Sequence, residues 1–236
     1  MGIEGLDERQ QLALIAEIDS TRNLLAYGLR ALRTDALIDN IRDPILTVLS
    51  IGLEKLYKLA LGLAALDDNG RWPPVSVMRG HGHGVKNMHE KVWRELRKRT
   101  GGNIYLIQLM DAATEDPILV PMVDCLDMYG LQGRFYFLDL LGDEPQQRDA
   151  PQRCWIAVET AACNASENLR QLRANLSDDP SSAAADRTLR LALRDRIATS
   201  IEVAWETVAQ YGRMHALGHT GEVFGTEVRP TAVGRQ

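Results

Sequence analysis

The stretch ILTVLSIGLEKLYKLALGLAALDDNG, residues 45–70, decides the fold class. Leu46, Leu49, Leu53, Leu56, Ala60 and Leu63 recur every three or four positions through about Leu66. That spacing lines one face of a helix turning every ~3.6 residues. Asp43-Pro44, just upstream, reads as N-cap and first helical residue, and Asp67-Asp68-Asn69-Gly70 reads as the stop.

Working towards the N-terminus, residues 6–33 carry Leu14, Ile18, Leu25, Leu29 and Leu32 on one stripe with charges between them, a second long amphipathic helix expected to pack antiparallel on the first. Towards the C-terminus, two prolines and three glycines make residues 71–84 a loop. A helix then spans residues 85–100 with Val85, Met88, Val92 and Leu96 inward, and Gly101-Gly102 ends it. Its other face carries Lys86, Glu90, Arg94, Arg97 and Lys98, a solvated surface with ion pairs one turn apart. Helical patterns resume at 104–113 and 116–129, the second carrying Pro117 and Pro121. An aromatic-rich run over 129–139 reads as a short strand or extended connection whose Phe135-Tyr136-Phe137 anchors on the core.

After a polar turn at 142–150, Pro151 opens a helix to about residue 176, with Trp155, Val158, Ala162, Leu169 and Leu176 available for burial. Residues 177–183 are a linker by composition. A last helix over 184–215 repeats Leu189, Leu193, Ile197, Ile201, Trp205 and Val208. The pattern predicts an all-α, antiparallel helical bundle with long amphipathic helices and a small irregular insertion around residues 103–150. Residues 1–217 form one α-helical domain, and 218–236, rich in Gly, Thr and Pro without periodicity, form a flexible C-terminal tail. The leucine stripes of the first and last helices exceed what one partner helix needs, so a homodimer is expected.

A chain of 236 residues with 45% hydrophobic and 25% charged residues can bury its own core. Its net charge of -5 leaves no global field to gather nucleic acid, so any such contact is local. Cys125, Cys154 and Cys163 are odd in number and not in metal spacing, which argues for a reducing compartment. No apolar run approaches a bilayer span and the first thirty residues carry Glu4, Asp7, Glu8 and Glu17 among the leucines, so a cytoplasmic location without membrane contact is expected.

Chemistry concentrates where Leu53-Glu54-Lys55-Leu56-Tyr57-Lys58 is followed by Arg79-Gly80-His81-Gly82-His83-Gly84 and, one turn on, by His89. Glu54 and Lys58 share a helix face and Lys55 lies beside it. The glycine-rich segment before Val85-Lys86 points to phosphate held by helix N-terminal amides, Lys86 and Arg79, although it lacks the lysine and hydroxyl of a P-loop. No cofactor motif is present. Asp124 and Asp127, one turn apart near Tyr129 and Arg134, are a candidate carboxylate pair. His81, His83 and His89 offer an alternative metal set, since His-x-His can aim two imidazoles at one cation.

Leu53-Glu54-Lys55-Leu56-Tyr57-Lys58-Leu59, a loop, and Gly82-His83-Gly84-Val85-Lys86-Asn87-Met88 resemble the pattern of the HEPN superfamily over about residues 37–100. The resemblance implies an antiparallel helical bundle that often dimerises and, in many members, cuts RNA without metal or accompanies a nucleotidyltransferase, in a bacterial defence or toxin setting. Catalytic members place a histidine four to six residues after an arginine, the arginine steadying phosphate charge and the histidine moving a proton. Here Arg79 has three residues between it and His83 and one between it and His81, and Arg213 with His219 has five between. The resemblance implies His83 and Arg79 as catalytic and Glu54, Lys55, Lys58, His81 and Lys86 as binding residues. RNA or a nucleotide would be the partner. A non-catalytic helical interaction module and a metal-dependent hydrolase using the histidine loop are the alternatives.

Overall fold

The computed structural model describes residues 5–142 and 144–233. Among them are eleven α-helices and no strand: α1 (Glu8–Leu32), α2 (Ile38–Asn69), α3 (Val75–Gly80), α4 (Val85–Lys98), α5 (Ile104–Glu115), α6 (Leu119–Met128), α7 (Tyr136–Leu141), α8 (Pro151–Ala165), α9 (Glu167–Asp178), α10 (Ala183–Arg213) and α11 (Gly218–Val228). A π turn, Tyr129–Gly133, extends α6, and a 3-10 turn, Pro230–Val233, follows α11. The all-α expectation is met.

Asp7 starts α1 with a reciprocal cap: its Oδ1 accepts from the Gln10 amide at 2.8 Å while Gln10 Oε1 accepts from the Asp7 amide at 3.0 Å. The helix then turns back antiparallel onto α2, and glycine sets how closely the two approach. A Cβ on Gly28 would stand 2.6 Å from Leu49 Cδ2, and one on Gly52 would stand 2.9 Å from the Leu25 side chain. The leucines of both helices are fully buried at this seam.

α2 begins at Ile38, ahead of the expected Asp43-Pro44 start, and Pro44 lies inside it. At that depth Pro44 forfeits one intrahelical bond. The preceding turn is held by tertiary contacts instead: buried Arg42 lies 3.1 Å from Asp39 and 3.5 Å from Asp43, while Arg194 of α10 donates to the carbonyls of Thr34 and Ala36. Arg33 pairs bidentately with Glu202 and reaches Asp195 at 2.8 Å, tying the same corner to α10.

α10 runs through the middle of the core, packing on α11, α5, α9 and α8. Ile197, Ile201, Trp205 and Val208 are buried, as are Leu14, Ile18, Leu25, Leu29 and Leu32 of α1. The leucine stripes from which a dimer was expected are therefore covered within the chain, which removes that argument for a dimer.

Four expectations are corrected. Residues 103–150 are not a small irregular insertion: α5 and α6 place Leu106, Met110, Ile118, Met122 and Leu126 in the core, and Asn103 caps α5. The strand-like run is the π turn plus α7, with Phe135, Phe137, Leu138 and Leu141 exposed rather than anchored. The helix expected over 151–176 breaks at Ser166, whose hydroxyl caps α9. The expected flexible tail holds α11, with Phe224 and Val228 fully buried, and Trp205 Nε1 donates to the Val228 carbonyl at 2.6 Å. Residues 234–236 of that tail, residues 1–4 of the expected domain and residue 143 lie outside the described residues. Among the described residues, no helix is long and apolar enough to cross a membrane.

Candidate functional site

The polar seam of α2 lies opposite its leucines and is overlaid by the α3–α4 loop. Gly82 adopts φ 73°, a backbone conformation open to glycine. This reversal sets His83 above the seam, with Nδ1 2.9 Å from Glu54 Oε1. Lys58, one turn along α2, donates to the same oxygen at 2.8 Å. The Glu54 side chain is 16% exposed and that of His83 is 76% exposed, so a sheltered carboxylate orients an imidazole that faces solvent. Two donors on one oxygen suit an ionised carboxylate; His83 then carries its proton on Nδ1 and presents Nε2 outward as a proton acceptor.

His81, two residues before His83, is half-buried. Burial pushes its pKa below the ordinary imidazole value, and the charges of Lys91 and Lys58 push the same way. Two ammonium groups thus raise the local positive potential at the loop. A cavity of about 320 Å³ opens beside Lys58, walled by Leu59, Trp72, Val75 and Met78.

The remaining sequence candidates disperse. Lys55 turns to α1, 2.9 Å from Glu17 and 3.0 Å from Ser20 Oγ. His89 points inward: its Nδ1 is 2.8 Å from the Tyr57 hydroxyl and its ring lies 4.0 Å, centroid to centroid, from Trp93. Burial lowers the His89 pKa to about 4 and pushes the Tyr57 phenol well above its ordinary value. Both stay neutral, and we assign Tyr57 O–H as donor to Nδ1. Arg79 is exposed in the last turn of α3 and, among the described residues, makes no ion pair or side-chain hydrogen bond. His81, His83 and His89 do not form a ligand group; among the described residues that grouping occurs only at His215, His219 and Glu222.

The N-terminus of α4 is not an open anion site. Asp127 of α6 already fills it, accepting from the Lys86 amide at 3.1 Å. Its other oxygen takes Arg148 Nη1 at 2.9 Å, and the Lys86 ammonium pairs with Asp124 at 2.8 Å. Those contacts hold the Lys86 pKa up, the Asp124 hydrogen bond foremost. Gly84 matters here for space, since a Cβ would come 3.1 Å from Asp127 Oδ1. The two acids are thus neutralised structural groups rather than a catalytic pair, and Lys86 belongs to them. Sequence reasoning missed this cap. Its only signal was the Asp124/Asp127 spacing.

The fold and face define an all-α protein with an oriented carboxylate–imidazole pair and an adjoining lysine. No protein-family model matches the chain, and neither a curated protein nor a solved structure matches it.

Proposed function

We propose that the Glu54–Lys58–His83 face binds RNA and cleaves it without a metal ion. One arrangement carries the reading: His83, outward-facing and held by a sheltered Glu54, with Lys58 on the same carboxylate oxygen. His83 Nε2 takes the proton from a ribose 2′-hydroxyl, which attacks the adjacent phosphorus. The P–O5′ bond breaks, the 5′-oxygen takes a proton from solvent, and a 2′,3′-cyclic phosphate remains. Lys58 and Lys91 meet the phosphate charge. Glu54 fixes the tautomer and orientation of His83, and the Trp72-lined cavity suits a base stacked on the indole. The resemblance to HEPN bundles over about residues 37–100 supports the same reading.

The test is cleavage of a single-stranded RNA oligonucleotide by purified protein in excess chelator. His83→Ala is expected to slow it by roughly 10²–10⁴-fold with circular dichroism unchanged, the range for losing a general base. His81→Ala should do much less. No cleavage by the parent protein, or an equal rate in His83→Ala, overturns the proposal. A second reading, a non-catalytic interaction module, is favoured by exposed Phe135, Phe137, Leu138 and Leu141, which offer an apolar surface. On that reading His83→Ala leaves partner capture intact and Phe137→Ser with Leu141→Ser abolishes it.

A further inference from the structure

Between α10 and α11 the chain runs Arg213-Met214-His215-Ala216-Leu217-Gly218-His219-Thr220-Gly221-Glu222. His215 is the one described non-glycine residue with positive φ, at 59°. Its ring lies parallel to that of His219, with 4° between planes and centroids 6.3 Å apart. His215 Nε2 is 3.8 Å from Glu222 Oε2, and one ligand atom from each of the three side chains lies within 4.8 Å of the other two. Ligands of a tetrahedral zinc ion with bonds of ~2.0–2.2 Å stand about 3.3–3.6 Å apart, so small side-chain rotations close the set.

The frame beneath these donors is tightly packed. A Cβ on Gly212 would come 2.5 Å from the Gly221 carbonyl oxygen, so α10 and α11 meet backbone to backbone. Arg99 donates to the Ala216 carbonyl at 3.4 Å while pairing with Asp67, Asp68 and Glu95, which fixes the turn to the ends of α2 and α4. All three donors are exposed, which leaves room for water to complete the coordination. His219 also borders a cavity of about 310 Å³ that Asp67 and Thr220 share.

We propose that His215, His219 and Glu222 bind a divalent cation of the zinc class, clipping the end of α10 to the first turns of α11. Two imidazoles and one carboxylate suit zinc and its borderline neighbours rather than magnesium or calcium, which take oxygen ligands. The site is independent of the His83 face, because it shares no residue with it.

Chelator-treated, full-length protein titrated calorimetrically with zinc chloride at pH 7.5 tests the assignment. The parent is expected to take up one equivalent and to melt at a higher temperature when loaded. His219→Ala and Glu222→Gln should each bind at least about tenfold more weakly and lose the thermal shift, while His83→Ala retains both. No uptake by the parent, uptake unchanged in His219→Ala and Glu222→Gln, or loss of uptake in His83→Ala overturns it.

Discussion

α11 and α7 reverse each other. α11 reads in sequence as Gly-His-Thr-Gly-Glu-Val-Phe-Gly-Thr-Glu-Val, poor in leucine, yet it buries Phe224, Gly225 and Val228 and lies directly on α10. α7 reads Tyr-Phe-Leu-Asp-Leu-Leu, one of the most apolar stretches of the chain, yet buries nothing. Shape accounts for the difference. Gly212, Gly221 and Gly225 let two helices approach to backbone contact, where dispersion accumulates over many atoms and one phenyl ring fills the remaining space. α7 is six residues long, follows a π turn and, among the described residues, packs extensively on no other helix. Hydrophobicity alone does not put a segment in the core; a complementary surface does.

The strongest way to break the comparison is Phe224→Ala, expected to cost about 3–5 kcal/mol in urea unfolding. A loss near zero would return α11 to the status of a tail.

Next comes the aromatic pocket of Tyr57, His89 and Trp93, an inward counterpart to the more open pair of half-buried Tyr136 and exposed Phe137. The His89 pKa is about 4 in the folded chain against about 6.5 unfolded, so the unfolded state binds the extra proton between those values. The contribution of His89 is complete above about pH 6.5 and is lost as pH falls towards 4, up to roughly 3 kcal/mol. His89→Phe should flatten that part of the stability–pH profile; an unchanged slope would mean that His89 is readily protonated in place.

Gly225→Ala is expected to cost about 1–3 kcal/mol, because its Cβ would stand 2.2 Å from the Ala209 carbonyl oxygen and the helices must part. At the small end, Phe135→Ser and Leu138→Ser should each shift stability by no more than about 0.5 kcal/mol. A loss comparable with that of Phe224→Ala would show that α7 packs after all.

What the sequence made legible follows the same division. The paired stripes of α1 and α2, the inward face of α4 and the long repeat of α10 are visible because leucine-type packing leaves a 3–4 periodicity. α11 left none, since glycine contacts have no hydrophobic signature. The start of α2 was misplaced because Pro44 is tolerated by contacts from Arg42 and Arg194 that lie outside any local window. At the site, Glu54 with Lys58 was readable from their one-turn spacing, and His83 from its place at the mouth of α4. The partners of Lys55 and Lys86 were not readable, because only the tertiary fold brings Glu17 and Asp124 to them.

The cap on α4 is supplied from 41 residues away, by Asp127, and not by Gly84 at its own N-cap position. The first turn of α4 therefore depends on a long-range contact: without α6 docked, its Lys86 amide loses its acceptor and its dipole the nearby carboxylate. Hydrogen exchange at the Lys86 amide thus reports the opening of α6 from the bundle rather than local fraying. The segment that carries His83 is thus tied, through the single carboxylate of Asp127, to α6 and to Arg148.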